Sequence, residues 1–215
     1  IGAMAHFVAA QAGQHHRLAA LDRRFGLQPS RIDADVALCI GGRRRAGRAG
    51  AGRSGCGDGG DLCLAYVLEG NCAALRVPPA SAPLRRDGLW RHTCFEAFIR
   101  AMPDAEYYEL NFSPSGQWAA YQFSGYRNGM RVANEITEVP IEMRSSPDGC
   151  ALQASLSLDQ FRDLPRDRSW CLGLSAVIED ATGGVSYWAL AHPPGKPDFH
   201  HADNFACKFS PAVMP

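Results

Sequence analysis

From Asp61 onward the chain breaks into short apolar, aromatic-rich segments separated by turn residues, with almost no intervening helical period. Strand candidates fall at 62–68, 92–100, 106–112, 117–124, 138–144, 150–158, 170–178, 185–191 and 205–209; only 158–163 reads as helical. Many short strands without crossover helices cannot build a parallel sheet, so the expected fold is all-β, an antiparallel sandwich or barrel. Alternation sets the faces: Phe95, Ala97 and Ile99 point one way, Cys94, Glu96 and Phe98 the other. Ser113-Pro114-Ser115-Gly116 has the chemistry of a type I turn and predicts a hairpin over 106–124.

The first 60 residues differ in texture and read as an appendage (1–60) to the domain at 61–215. Phe7, Leu18, Leu21 and Phe25 return to one helical face, predicting a short N-terminal helix within 5–26 that Gly26 stops. Ile32, Ala34, Val36 and Leu38 alternate as a strand. The Gly/Arg-rich stretch 41–60 cannot supply a packed core and is expected to be disordered. Basic and acidic residues balance at 22 each, which gives no electrostatic recruitment of nucleic acid or membrane. Of the eight cysteines, Cys63, Cys94, Cys150 and Cys171 sit in apolar runs and read as free small hydrophobes, and no CxxC or zinc spacing occurs. With no secretory signal and no membrane-length apolar run, the expected location is cytoplasmic.

Chemistry-bearing residues concentrate in three blocks. In LWRHTCFEAFIR, Trp90 ends a polar loop and offers an indole face, His92 follows it, and Glu96 is a carboxylate inside an apolar strand. A carboxylate there must pair, with an arginine such as Arg127, or bond a ligand. In YYELNFSPSGQWAAYQFSGYRNGM, Asn111 ends a strand, Trp118 is a second indole, and Tyr126, Arg127 and Met130 lie in a loop bracketed by Gly125 and Gly129. In YWALAHPPGKPDFHH, Trp188 precedes a proline-stiffened loop carrying His192, Lys196, Asp198, His200 and His201. Stacking planes beside a few directional polar groups are the composition of a small-ligand site. Nucleophile elbows, phosphate loops and paired hydrolytic carboxylates are absent from the sequence.

These blocks resemble the bacterial DOMON-like domain proteins, relatives of the sandwich shared by DOMON haem- or sugar-binding domains and family 9 carbohydrate-binding modules. The resemblance spans roughly 61–209 and departs from the pattern in the first 60 residues. It implies an immunoglobulin-like antiparallel β-sandwich with a ligand pocket on one sheet. It also implies sugar contacts at Trp90, Glu96 and Trp188. In haem-binding relatives the iron ligands correspond to Met130 with His192 or Lys196. The reading that follows is non-catalytic binding of a sugar-like small molecule without a cofactor. Trp90 stacks, Glu96 and Arg127 take hydroxyls, and the 192–200 loop closes one side. The alternatives are a haem b electron-transfer domain using Met130 and His192, and an enzyme with Glu96 and His192 as acid and base.

Overall fold

The computed structural model describes residues 14–17, 19–20, 33–41, 61–69, 72–146 and 149–209. They form β1 (Gln14–Arg17), β2 (Ala19–Ala20), β3 (Asp33–Gly41), β4 (Asp61–Glu69), β5 (Cys94–Ala101), β6 (Tyr107–Phe112) and β7 (Trp118–Phe123). The chain continues with β8 (Arg131–Val132), β9 (Ile141–Ser146), β10 (Gly149–Ser157), β11 (Trp170–Glu179), β12 (Val185–Ala189) and β13 (Cys207–Phe209). Helical residues among those described are confined to three-residue 3-10 turns.

Two antiparallel sheets result. One has the order β1-β3-β4-β10-β9; the other runs β2-β12-β11-β5-β6-β7-β8, with β13 also paired to β11. The strands expected from Asp61 onward all form, and Gly116 (φ 88°) closes the β6–β7 hairpin with its amide donating to the Ser113 carbonyl at 3.0 Å. The strand expected near 32–38 forms as β3 and pairs with β4 along its whole length.

Two expectations are corrected. Where a helix was expected within 5–26, the described residues 14–17 and 19–20 are strands pairing with β3 and β12; the rest of that segment lies outside the described residues, as does 42–60 of the Gly/Arg-rich stretch. Ladder bonds to neighbouring strands outweigh a weak helical period here. Cys63, read as a free thiol, is disulfide-bonded, and the residue across the β3–β4 ladder from it is Cys39.

The sheets pack face to face. Leu62, Leu64, Tyr66 and Leu68 of β4 and Leu152, Ala154 and Leu156 of β10 meet Phe95, Ala97 and Ile99 of β5 and Leu172 and Leu174 of β11. Trp170 is fully buried in this core, its indole N–H bonded to the Pro165 carbonyl at 2.8 Å. The outer face of the β5–β6–β7–β11 sheet is covered as well, by Leu89, Phe199 and Phe205 packed on Phe98, Tyr107, Tyr121 and Phe123. Burial on both faces is why β11 reads as the continuous apolar run WCLGLSAVIE. Gly173 permits part of that cover: a Cβ there would lie 2.6 Å from Asn204 Nδ2, and Asn204 clamps the 199–204 turn through the Phe199 carbonyl at 2.8 Å.

One polar bond ties the layers beneath the outer face. The buried Tyr66 hydroxyl, on β4, donates to the Glu96 carbonyl of β5 at 2.8 Å. Tyr66→Phe leaves that carbonyl without its cross-sheet donor and is expected to cost about 1–2 kcal/mol. Chemical denaturation measures this, and a loss near zero would show that the bond contributes nothing.

Candidate functional site

Alternation delivers polar groups to the outer face of the second sheet. Across the β5–β6 ladder Glu96 pairs with Asn111 and Phe98 with Glu109, and Glu109 in turn faces Tyr121 of β7. Glu96 and Glu109 are therefore diagonal neighbours on one face. They form the floor of a cavity of about 420 Å³, a size suited to a small ligand. Its aromatic walls are Trp90, Tyr121, Phe123, Tyr187 and Phe199; Arg127, Met130 and His200 complete the polar and flexible side.

Trp90 sits in the 3-10 turn Leu89–Arg91, entered through Gly88 in the left-handed region (φ 77°). Buried Leu89 anchors the turn, leaving Trp90 37% exposed over the cavity and edge-on to Tyr121, with ring centroids 6.0 Å apart. The Tyr121 hydroxyl bonds the Asp87 carboxylate, so the indole is held before any ligand arrives.

Arg127 has a left-handed backbone (φ 52°) in a loop whose Gly129 is obligatory, since a Cβ there would lie 2.1 Å from Ser124 Oγ. A positive φ at a non-glycine residue is uncommon and concentrates at functional sites. The guanidinium donates to Asp198 Oδ1 from Nε (3.2 Å) and Nη2 (2.7 Å), the Tyr126 hydroxyl bonds Asp198 Oδ2, and the His200 amide reaches Oδ1 at 3.1 Å. Burial opposes ionisation of Asp198, but the Tyr126 and Arg127 bonds prevail and hold its carboxyl below the usual range. The anticipated Glu96–Arg127 pair is not what forms; Arg127 pairs with Asp198.

The two glutamates are in a different condition. Glu96 is 3% exposed, and its Oε1 has no hydrogen-bond partner among the described residues. Burial, then the Glu109 charge, pushes its carboxyl well up, with Arg127 opposing. Glu109 accepts from Asn111 Nδ2 at 2.8 Å, yet burial still raises it to about 6. His200 bonds the Tyr107 hydroxyl through Nδ1 at 2.8 Å and places Nε2 3.7 Å from Glu109 Oε2. Burial and then Arg127 lower it to about 4, so it is neutral near pH 7.

Of the residues singled out by sequence, Trp90, Glu96, Arg127, His200 and Met130 line this one cavity. Asp198 and Tyr126 stand behind Arg127, and Asn111, fully buried, stands behind Glu109. Trp118 and Trp188 point the other way, into the inter-sheet core: Arg85 lies 4.4 Å over the Trp118 ring, and the Trp188 indole N–H bonds Ser186 Oγ at 3.0 Å. His92 contacts Glu179 Oε2 at 2.8 Å in a neighbouring cavity with Arg86 and Arg91. Lys196 is exposed, and His192 packs near Phe199 (centroids 6.2 Å) without lining the cavity. Met130 and His192 are thus not brought together at the cavity wall. Among the described residues no cluster of three or more His, Cys, Asp or Glu is arranged for a metal. Glu109, Tyr121, Phe123, Tyr187 and Phe199 were missed. The hairpin register would have revealed the first three, and the residue beside Trp188 the fourth.

A raised carboxyl has a sign. Relative to the ordinary 4.5, Glu109 contributes stability that is fully present below about pH 4.5 and lost as pH rises through about 6. Glu109→Gln keeps the acceptor for Asn111 and removes the titration. Its stability relative to the parent is expected to improve by about 2 kcal/mol between pH 4 and 7.5. Glu135, lowered to about 2 despite burial by bonds from Arg131 and Tyr108, acts in the separate window below 4.5. Melting curves of both proteins across this range test it; a difference that does not vary with pH would refute the assignment.

No protein-family model matches the sequence, and no curated protein does. Among solved structures, a protein from Bacteroides uniformis provisionally assigned as carbohydrate-binding shares the fold. The TM-score is 0.58 at 12% identity, over 88% of this chain and 83% of that one. Weaker likeness extends to a family 9 carbohydrate-binding module from Caldicellulosiruptor kristjanssonii in complex with cellotriose (TM-score 0.44, 10% identity, 85% and 74% covered). The same holds for such a module in complex with glucose (0.40, 12%, 77% and 70%).

Proposed function

We propose that this cavity binds a carbohydrate, and that the domain is a sugar-recognising β-sandwich of the immunoglobulin-like, DOMON-like kind. The observation that carries the reading is Trp90: a 37%-exposed indole, fixed edge-on against Tyr121, at the mouth of a cavity floored by buried carboxyls. A sugar ring presents C–H groups to an aromatic face and hydroxyls around its edge. The site offers a plane at the mouth and acceptors at the floor, which is the matching arrangement. Tyr187, 38% exposed on the opposite wall, supplies a second plane. The likeness of fold to the provisionally assigned carbohydrate-binding protein supports the same reading.

Stacking plus a few hydrogen bonds, set against ligand ordering, gives affinity of roughly micromolar to millimolar. Isothermal titration against a panel of mono- and oligosaccharides tests this. Binding by at least one member, weakened about tenfold in Trp90→Ala with an unchanged melting temperature, is the expected result. Absence of binding across the panel, or indifference to Trp90→Ala, would refute the reading.

A further inference from the structure

We propose that the ligand of this cavity carries a protonated amine, which Glu96 and Glu109 together receive. This rests on the sugar reading and narrows it to a sugar with a free amino group. Three independent features of the cavity converge on it.

The first is charge. The acids in and behind the cavity wall are Glu96 on β5, Glu109 on β6, Asp198 in the 192–200 loop and Asp87, which the Tyr121 hydroxyl bonds. Of the bases lining it, Arg127 is charged and already paired with Asp198 at 2.7 Å, while His200 is neutral near pH 7. Among the described residues neither glutamate has an ion pair with Arg127, and burial pushes both carboxyls up, Glu96 well up, so that full ionisation of the pair needs a counter-charge. A ligand ammonium supplies it. A neutral sugar does not, and an acidic one adds repulsion.

The second is the balance of donors and acceptors. Asn111 Nδ2 is committed to Glu109, Arg127 Nε and Nη2 to Asp198, and the Tyr121 hydroxyl to Asp87. Glu96 Oε1, on a residue only 3% exposed, has no partner among the described residues. A buried acceptor in this state is costly unless a ligand satisfies it. An ammonium brings three N–H donors and suits two diagonal carboxyls better than a single hydroxyl does.

The third is the wall itself. Trp90, Tyr121, Phe123 and Phe199 line the same cavity as the carboxyls. Aromatic faces attract a cation through their quadrupole, and the attraction grows where water is excluded. The combination of rings and acids therefore favours an organic cation over a neutral polyol of equal size.

The experiment is isothermal titration of the full chain at about pH 6.5, where Glu109 and a sugar amine are each substantially charged. The probes are the glucosamine trimer, its N-acetylated counterpart, the glucose trimer and benzylamine. The expected result is binding of the glucosamine trimer about tenfold or more tighter than either neutral trimer, with the gap closing in Glu109→Gln or Glu96→Gln. Equal affinity for the three trimers in the parent protein would overturn the amine subsite and leave the sugar reading intact, whatever the variants do. Binding of benzylamine without any trimer would uphold the cation subsite and overturn the sugar reading. No binding by either amine would overturn the proposal.

Discussion

The structure depends on the two-residue alternation of β5, β6, β7 and β11 being buried on both faces. In an antiparallel sheet with one wet face, the outward residues are free to be anything polar. Here they are covered by the turn around Leu89 and by the segment from Phe199 to Phe205, so outward positions must pack almost as tightly as inward ones. The cavity is the part of the outer face that this second layer does not fill. Its position is therefore set by the covering loops, while its chemistry is set by strand register. The Tyr66 bond to the Glu96 carbonyl connects the two, because it fixes the β5 backbone from the inner side at the residue whose side chain floors the cavity.

Placing two glutamates in that gap works against folding. Neither has a charged partner among the described residues, and burial raises both carboxyls, the direction expected when the ionised form is disfavoured. Hydrophobic residues of similar size at these positions would be neutral or stabilising. The cost is modest for Glu109, which keeps the Asn111 amide, and larger for Glu96, whose Oε1 has none. A buried polar group without a partner is where sequence and fold disagree, and such disagreement concentrates at binding sites; Ser175 Oγ, across the β5–β11 ladder from Glu96, is in the same state.

How much was legible in the sequence follows from the same alternation. Strand existence from Asp61 onward was readable because short apolar runs and turn chemistry agree. The faces of β5 were readable because Glu96 interrupts an apolar strand. Trp118 and Trp188 were assigned to the ligand by residue type, whereas each lies in register with inward neighbours; Tyr121, Phe123 and Tyr187 occupy the outward positions beside them. Glu109 was legible only after pairing, since its significance comes from lying diagonal to Glu96 across a ladder. The N-terminal strands carry too little local pattern to read, as their partners β3 and β12 are supplied from elsewhere in the chain. The Asp198 clasp was illegible for a similar reason: residues 126–127 and 198 are more than seventy positions apart, and nothing local marks them as partners.

That clasp decides the character of the site. An arginine within reach of two buried carboxylates would ordinarily neutralise them, and the cavity would close around an internal ion pair. Asp198 prevents this by accepting two guanidinium bonds, the Tyr126 hydroxyl and the His200 amide. Arg127 adopts a left-handed backbone, and its guanidinium bonds Asp198. The two loops are thereby joined over one side of the cavity, His200 is fixed where its ring touches Tyr107 and Phe98, and the glutamates are left for whatever enters. The arginine satisfied behind the wall is what leaves the carboxyls in front of it without a cationic partner.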